Sequence, residues 1–319
     1  MSSRSTKKHA LGIDIGGSTT KIGIVGSDGC VESVTSIPTE PAATSFMDRL
    51  VAVAQEMQAA AKLHLDGVGI AVAGFVDDRR EVMTDNPNIR WLEGFPLKEQ
   101  CQTRFGLATF LDVDSNAAAL AEYLFGAGSG THRMLFLCIG TGLGGAVVID
   151  GELLRFAHQG IGDPGHVLIQ SGGLQCTAGC RGCAEGLIST SGIERRFREL
   201  LENADAPILA YPPQHASARE IIEKGRLGDA LAVRVLQETG RWLGITVGSL
   251  AAVFCPERVV VGGGIAEAGN LLLDSTEFTF RSMTGTMYHA NVEIRKACLG
   301  WRAGLVGAAS AVWSGKVSD

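Results

Sequence analysis

The sequence has no long apolar run, few aromatic residues and no excess of positive charge. No stretch of the 319 residues reaches the roughly 18 uninterrupted apolar positions of a spanning helix, and the nearest candidate, 242–255, contains Gly and Ser. Lys and Arg number 28 against 34 Asp and Glu, so the net charge of −6 has the wrong sign for a broad nucleic-acid-binding face. We therefore expect no nucleic-acid partner and no membrane partner.

The chain also lacks the marks of a secreted protein. Its polar first ten residues contain neither the apolar segment nor the small-residue cleavage site of a signal peptide. The eight cysteines are too dispersed for the disulfide framework of a small secreted domain. The sequence therefore predicts a cytoplasmic protein, with isolated cysteines that serve as buried apolar side chains. Those isolated cysteines are Cys30, Cys101, Cys138, Cys255 and Cys298.

Glycine is abundant, with 42 residues, and it is clustered after apolar runs. The run 11–15 is followed by the turn 16–20 and a second apolar run. The same layout returns at 134–149, around the Gly-rich loop 140–145. The two copies are about 125 residues apart, too far for a solenoid repeat of roughly 20 to 50 residues, so two related lobes with a central cleft are expected.

Helical and strand patterns fill the intervals between the glycine clusters. Apolar residues at spacings of three and four predict helices over 44–63 and 115–125. The segment 229–254 is also helix-like but nearly apolar all round towards its end, which predicts a buried helix. Apolar runs predict strands over 110–113 and 258–261, the second followed by Gly262-Gly263-Gly264. Strands that alternate with helices are typical of an α/β fold, and the length predicts two domains.

Glycine clusters that follow strands can hold phosphate groups, because backbone N–H groups approach an anion where no Cβ intervenes. None has the Lys-Ser or Lys-Thr of a P-loop, and 140–145 precedes a strand, unlike a dinucleotide fingerprint. Each cluster taken alone is more simply explained as a hairpin turn. Asp14, Thr19 and Thr141 add a carboxylate for magnesium and two hydroxyl donors.

Together these motifs resemble the ROK family, which comprises bacterial glucokinases, fructokinases, N-acetylmannosamine kinases and related repressors. The likeness runs from about Gly12 to Gly307. It is carried by Asp14-Ile15-Gly16-Gly17-Ser18-Thr19-Thr20-Lys21, Asp114-Ser115-Asn116-Ala117-Ala118-Ala119-Leu120, residues 140–145, Gly165-His166, Gly182-Cys183-Ala184-Glu185 and Val261-Gly262-Gly263-Gly264. The resemblance implies an actin-like ATPase (ribonuclease H-like) fold. In such a fold, this chain would form a smaller lobe over 1–120, completed by a C-terminal helix 303–319. A larger lobe over 121–302 would contain the His/Cys loop.

The resemblance further implies transfer of a phosphoryl group from ATP to a hydroxyl of a hexose or N-acetylhexosamine, catalysed by a homodimer. Asp114 matches the family's general base, which must lie beside the attacking oxygen. The alternative role of Asp114, or of Ser115, is to cap the helix that begins there. Both roles are compatible with each other.

The remaining site residues also come from the resemblance. The residues expected at ATP and its Mg²⁺ are Asp14, Gly16, Gly17, Ser18, Thr19, Lys21, Gly140, Thr141, Gly142, Gly262, Gly263 and Gly264, with Asp14 near the metal. The residues expected at the sugar are Gly74, Asn88, Asn116, Asp163, His166 and Glu185. Two positions depart from the family pattern, because Val113 replaces an Asn and Asp163 replaces a Glu. Both normally contact the sugar, so hydroxyl recognition should differ from that of a standard glucokinase.

A histidine and three cysteines form a candidate zinc site. One imidazole and three thiolates complete a tetrahedral set, and the family's structural zinc uses such a set. Here Ala178 occupies the family's middle cysteine position, and a cysteine follows two residues later, at Cys180. The expected set is therefore His166, Cys176, Cys180 and Cys183. Two alternatives remain open: ordinary free thiols, and the cluster-binding cysteine triad of radical S-adenosylmethionine enzymes.

Two other functions compete with the kinase. One is a sugar-binding regulatory protein without catalysis, although family repressors carry an N-terminal helix-turn-helix segment of about 60 to 80 residues. About nine residues precede the first predicted strand here. The other is an activating ATPase of the acyl-CoA dehydratase type, in which cysteines hold an iron–sulfur cluster. The Asp114 motif and His166 argue against it.

Overall fold

The computed structural model describes residues 7–40, 42–86, 89–156, 160–202, 216–283 and 291–314. The chain divides into two compact units. The first unit comprises Met1–Gly130, Val148–Gly162 and Leu299–Asp319, and the second unit comprises Thr131–Val147 and Asp163–Cys298. The sequence-based boundary lies at residue 120, whereas the compact units place 121–130 with the first unit, because a helix continues through that position.

A five-stranded mixed sheet forms the middle of the first unit. The antiparallel strands β1 (His9–Ile15), β2 (Thr19–Gly26) and β3 (Val31–Pro38) are extended in parallel by β4 (Val68–Val72) and β7 (Thr109–Val113). The strand order is β3-β2-β1-β4-β7. A separate two-stranded sheet consists of β5 (Phe75–Val76) and β6 (Met83–Asp85).

Helices cover both faces of this sheet. They are α1 (Ala43–Ala61), α2 (Leu97–Phe105), α3 (Asp114–Phe125) and a C-terminal helix, Ala303–Ser314, which we call α9. Alternation along β1 directs Leu11, Ile13 and Ile15 into a core with α1, and directs Ala10 toward α9. Asp14 lies four residues after Ala10 and therefore on the same face of β1, so its carboxylate faces α9.

The second unit contains the other five-stranded sheet. Its strands are β8 (Arg133–Ile139), β9 (Leu143–Ile149), β10 (Glu152–Leu153), β11 (Arg258–Gly262) and β12 (Glu293–Lys296), in the order β10-β9-β8-β11-β12. Numbered within each sheet, both sheets have the same 3-2-1-4-5 order. The duplicated strand–turn–strand unit of the sequence therefore belongs to a duplicated sheet topology. The end of β9 and all of β10 lie in the first unit.

Five further helices belong to the second unit: α4 (Ala184–Ile188), α5 (Thr190–Glu202), α6 (Ala218–Arg226), α7 (Ala230–Phe254) and α8 (Asn270–Met283). Helix α7 buries one face between Ala232 and Ala251, and it leads into β11. The burial expected of its apolar end is not observed at Val253, which is 70% exposed. No helix in the described ranges combines the length and apolarity that crossing a bilayer requires. Alternating helices and strands confirm the α/β prediction.

Candidate functional site

The first glycine cluster forms the turn between β1 and β2. Thr39 fastens this turn, because its Oγ1 donates to the Gly16 carbonyl oxygen at 2.8 Å and its N–H donates to the Ser18 carbonyl at 3.1 Å. A Cβ at Gly16 would lie 3.1 Å from the Thr19 carbonyl oxygen, so the tight turn favours glycine there. Gly17, Ser18 and Thr19 are exposed at its tip. The turn is thus a fixed and accessible loop.

Asp14 and Lys21 form an ion pair beside this turn. The Lys21 Nζ lies 2.8 Å from Asp14 Oδ2. Gly304 in α9 provides the space for the carboxylate, because a Cβ at that position would lie 2.9 Å from Asp14 Cγ. A carboxylate and an ammonium group are therefore held together next to the Gly-rich turn.

Asp114 follows β7 directly and is the first residue of α3. Its Oδ1 accepts a hydrogen bond from the Ser115 N–H at 2.7 Å. This contact with the next residue is not a helix cap, because Val113 is the N-cap residue and α3 has no side-chain cap hydrogen bond. Solvent reaches the Asp114 side chain, but protein atoms crowd its surroundings. This desolvation, followed by the negative charge of Asp14, raises the pKa of Asp114 to about 6. Lys21 acts in the opposite direction.

The residues around Asp114 are anchored by Asp112. Its Oδ1 accepts hydrogen bonds of 2.8 Å from the Val113 N–H and from Asn116 Nδ2, and its carboxylate pairs with Arg155. Asn116 is only 2% exposed, so its amide holds the start of α3 to β7. Val113, at 6% exposure, packs into the core of the first unit. The residue that replaces the family's Asn therefore serves packing.

Gly74 follows β4 with a φ of 111°, a backbone conformation that favours glycine. The preceding residue, Ala73, accepts a hydrogen bond from Asn86 Nδ2, and Asn86 is buried. Gly74 thus lies in a fixed loop near the end of β1, whose Ile15 carbonyl accepts from the Ala73 N–H. The predicted sugar residue Asn88 lies outside the described residues.

In the second unit, the loop between β8 and β9 is held by two side chains from the following helices. The Glu185 Oε2 accepts from the Leu143 N–H at 3.1 Å, and a Cβ at Gly142 would lie 2.6 Å from that oxygen. The Thr190 Oγ1 and N–H both donate to the Gly140 carbonyl at 2.9 Å. Thr141 is exposed. Glu185, predicted at the sugar, thus also shapes the Gly-rich loop.

The third glycine cluster lies beside the second one. Gly263 has a φ of 85°, and a Cβ there would lie 2.2 Å from the carbonyl oxygen of Ile139, the last residue of β8. A Cβ at Gly264 would meet no other atom within 4 Å. The structure therefore brings together two of the clusters that the sequence singled out, at the ends of the adjacent strands β8 and β11.

His166 and three cysteines converge in the loop before α4. One donor atom from each of His166, Cys176, Cys180 and Cys183 lies within 4.8 Å of the others. The His166 Nδ1 is 3.2 Å from Cys180 Sγ and 3.7 Å from Cys176 Sγ, and the two sulfurs are 3.2 Å apart. Metal–sulfur bonds of about 2.3 Å in a tetrahedron imply sulfur–sulfur distances of about 3.8 Å. The four donor atoms are thus close enough together to hold one metal ion, with the Cys176 and Cys180 sulfurs nearer each other than in a metal-bound tetrahedron.

The histidine is oriented from its other side by Asp163. The His166 Nε2 lies 3.4 Å from Asp163 Oδ2, and the His166 N–H donates to the Asp163 carbonyl. Among the thiols, hydrogen bonds with Cys183 and Cys176 raise the pKa of Cys180 to about 12. For Cys176, hydrogen bonds from Cys180 and Cys183 outweigh desolvation and lower the pKa to about 7. The hydrogen bonds among the thiols therefore favour the thiolate of Cys176 over that of Cys180.

The expectation of buried isolated cysteines is wrong at three positions. Cys101 is buried, but Cys30, Cys255 and Cys298 are exposed. Cys255 ends α7 with a φ of 46°, in a left-handed conformation where the chain turns outward. Cys30 follows the turn after β2. A surface turn accounts for the exposure of Cys30 and a helix end for that of Cys255, and apolar character alone predicts neither.

Four residues that position the site were absent from the sequence-based set: Thr39, Thr190, Gly304 and Arg155. Thr39 and Arg155 lie in segments without a motif, so no local pattern marks them. Gly304 belongs to a helix rich in Gly and Ala, and such a composition signals close helix packing. Thr190 follows the Gly-Cys-Ala-Glu motif by five residues. The Gly- and Ala-rich composition around Gly304 can be recognised in the sequence. It does not reveal that Gly304 makes room for the Asp14 carboxylate.

Comparisons with known proteins agree with this architecture. A model described as "ROK family" matches residues 10–314. A glucokinase from Streptomyces coelicolor is 35% identical over 309 residues, which cover 94% of this chain and 96% of the relative. A ROK family glucokinase from Streptomyces griseus, solved in complex with glucose and AMPPNP, is 33% identical with a TM-score of 0.78, and the match covers 96% of this chain and 100% of that chain.

A regulator is equally similar in fold. A ROK family transcriptional regulator, a homolog of the Escherichia coli MLC protein, has a TM-score of 0.86 at 27% identity, over 96% of this chain and 78% of that chain. These structures confirm the fold that the motifs implied, that of the actin-like ATPases. Since the family model spans nearly the whole described chain, this protein belongs to the ROK family.

Proposed function

We propose that the protein is a kinase that transfers the terminal phosphoryl group of ATP to a sugar hydroxyl, with Asp114 as general base. The observation that carries this proposal is the position of Asp114. Its carboxylate is accessible, and it interacts electrostatically with Asp14 and Lys21 beside the first Gly-rich turn. The relatives named glucokinase support the same activity.

The chemistry follows from the raised pKa of Asp114. A carboxyl group with a pKa of about 6 is ionised at neutral pH, yet it is a stronger base than an ordinary aspartate. It accepts the proton of the sugar hydroxyl as the oxygen attacks the terminal phosphorus, and ADP leaves. Most of the remaining catalysis is positioning and charge neutralisation, as in phosphoryl transfer generally.

The exposed turn at 16–19 and the loop at 140–142 are proposed to bind ATP phosphates through backbone N–H groups. Gly262, Gly263 and Gly264 are proposed to lie against the adenosine. Asp14 suits Mg²⁺, because this ion takes oxygen donors and often only one or two carboxylates. When bound, the ion neutralises phosphate charge. Lys21, already paired with Asp14, supplies a further positive charge there.

The sugar is proposed to contact Gly74, Asn88, Asp163, His166 and Glu185. Asn116, the sixth predicted residue, is buried, so we assign it the positioning of Asp112 and α3. Val113 is buried and has no polar side-chain atom, which removes one hydroxyl contact of the usual pattern. We therefore infer that the acceptor differs in at least one hydroxyl contact from that of a standard family glucokinase.

An ATP-consumption screen tests this function. Aldoses, ketoses and N-acetylhexosamines are supplied with MgATP, starting from glucose, and NMR reads which hydroxyl carries the phosphate. The proposal requires turnover with at least one sugar. Saturable sugar binding without turnover favours instead a regulatory protein, a second candidate that the similarity to the ROK transcriptional regulator supports. The homodimer stays a prediction.

We propose that His166, Cys176, Cys180 and Cys183 bind a structural zinc ion. The donor distances support this assignment, and three sulfur ligands with one imidazole form a closed site typical of structural zinc. Cys180 replaces the cysteine that the family has at position 178. Asp163 orients His166 from its other ring nitrogen, as ligand histidines generally require.

Zinc content provides a direct test. Purified protein is expected to contain about one zinc per chain, and Cys180→Ser is expected to lose it, because three ligands bind zinc far more weakly than four. Mass spectrometry of the metal measures the content. Cys255→Ser is the control, since Cys255 is exposed and outside the donor set. Full zinc content in Cys180→Ser would show that Cys180 is not a zinc ligand.

The pH dependence of catalysis tests the environment of Asp114. Because protonation inactivates a general base, kcat/KM is expected to fall about tenfold for each pH unit below roughly pH 6. That midpoint follows from the pKa of Asp114, about 6. Steady-state kinetics between pH 5 and 8.5 at saturating MgATP measure the profile. A rate that stays flat down to pH 5 is incompatible with this pKa.

A further inference from the structure

A second polar pocket lies in the first unit, beside the edge strand β7. Its walls come from β7, α3, α9, β10 and the loop between β5 and β6, and its volume is about 320 Å³. Neither Asp14 nor Asp114 lines it, and neither does the Gly-rich turn. The pocket is therefore separate from the groups proposed to handle ATP.

The charge of this pocket is opposite to that of the whole protein. Its charged lining residues are Arg79, Arg80, Lys98, Arg155, Asp112 and Glu152, a formal excess of two positive charges. The protein as a whole carries −6. The carboxylate of Asp112 is already shared among Arg155, Asn116 and the Val113 N–H. Glu152 is then the one lining carboxylate left for Arg79, Arg80 and Lys98.

Arg80 is one of the pocket cations that no carboxylate of the described ranges pairs with. Its side chain is half-buried, and within the described part of the chain its guanidinium has no hydrogen bond or ion pair. Burial lowers the pKa of Arg80, and the positive charge of Arg155 lowers it further, against the smaller effect of Asp112. Two like charges are therefore held at one pocket, an arrangement that an anion would stabilise.

The backbone fixes Arg80 at the pocket in spite of local strain. Its φ is 53°, in the left-handed region that long side chains rarely adopt. Asp77 holds this loop, because its Oδ1 accepts from the N–H groups of Glu81 and Val82 and its carbonyl accepts from the Arg80 N–H. The strained conformation persists because these three bonds determine it.

We infer that this pocket binds a phosphate-bearing small molecule, whose oxyanion is received by the guanidinium groups of Arg80 and Arg155. Guanidinium groups match phosphate oxygens in a bidentate geometry, which an ammonium group cannot provide. The volume lies at the lower end of small-molecule sites, which suits a phosphate monoester of about hexose-phosphate size. Bound ligand shares Arg155 with Asp112, and Asp112 also holds Asn116.

Calorimetric titration with inorganic phosphate and with glycerol 3-phosphate tests this site. Both titrations are made at low salt, with and without AMPPNP, on the full chain. Arg80→Gln is expected to weaken binding at least about tenfold, because it removes a charge-assisted contact. Arg80→Lys, which keeps the charge but loses the fork, should fall in between. Arg49→Gln, which removes an exposed arginine paired with Glu40, should bind as the wild type does.

Any of three results with the protein alone overturns the proposal, and the AMPPNP titration adds a fourth. The three are no binding to the wild type, equal binding to Arg80→Gln, and equal weakening in Arg49→Gln, which indicates charge without a site. If Arg80→Gln does not fold, Lys98→Gln provides the same comparison at the other side of the pocket. No turnover is required, so failure of the kinase function and failure of this site are distinguishable. Binding by the wild type that AMPPNP abolishes also counts against a separate pocket.

Discussion

Replacing Asp114 with asparagine is expected to lower kcat about 10³-fold, within the range that general-base catalysis contributes. The amide keeps the size of the side chain and can still accept from the Ser115 N–H, which is 2.7 Å from Asp114 Oδ1 in the wild type. It cannot accept the hydroxyl proton of the sugar. AMPPNP affinity, measured by calorimetry, should change less than about twofold, because the Gly-rich turn at 16–19 and the Asp14–Lys21 pair remain.

The stability of this variant provides an independent readout. The pKa of Asp114 is raised to about 6 in the folded protein, above its usual value of 3.8. Between these values the folded protein retains a proton that the unfolded chain has released, so wild-type stability falls as pH rises through this window. Asparagine has no charge to desolvate. The variant should therefore melt at the same or a slightly higher temperature at pH 7.5, and the difference should vanish near pH 4.

Asp48→Asn is the matched control for both measurements. It makes the same chemical change in the same unit, but Asp48 is an exposed partner of Arg104. Its kcat should be that of the wild type. A kcat of Asp114→Asn within tenfold of the wild type would show that another group accepts the proton, and would remove the main support for Asp114 as base.

Much of the fold could be predicted from local pattern. The helix predicted at 229–254 is observed as Ala230–Phe254, and the helix predicted at 115–125 as Asp114–Phe125. Both segments have a strong apolar pattern, and tertiary contacts rarely change the type of element that such a segment forms. The packing of α9 against β1 and β4 could not be predicted in the same way, because it depends on backbone contacts between segments distant in sequence.

For the site, motifs predicted the backbone loops better than the side chains that hold them. The glycines of the turns have steric reasons that a sequence reveals, such as the close approach of Gly263 to Ile139. Thr39, by contrast, contacts Gly16 across 23 positions, and nothing in its neighbours distinguishes it from an ordinary surface threonine. The pairing of Arg155 with Asp112 spans 43 positions in the same way. Long-range polar contacts therefore required the structure.

The largest effect on stability is expected from Gly69→Ala in β4. A Cβ at Gly69 would lie 1.7 Å from the carbonyl oxygen of Ala308, so the strand and α9 cannot keep their present separation. The obstacle is helix backbone, which cannot rotate away as a side chain can. We expect the free energy of unfolding to fall by about 4 kcal/mol or more, in the range of severe core substitutions.

Gly106→Ala separates this steric cost from the conformational cost of glycine. Gly106 ends α2 with a φ of 65°, and a Cβ there would meet no other atom within 4 Å. Its loss of stability should be about 1 kcal/mol, since only the left-handed backbone is affected. Urea denaturation followed by tryptophan fluorescence measures both, because Trp91 and Trp313 lie in the same unit. Equal losses for the two variants would mean that α9 can move away from β4 at little cost, against the steric argument made from Gly69.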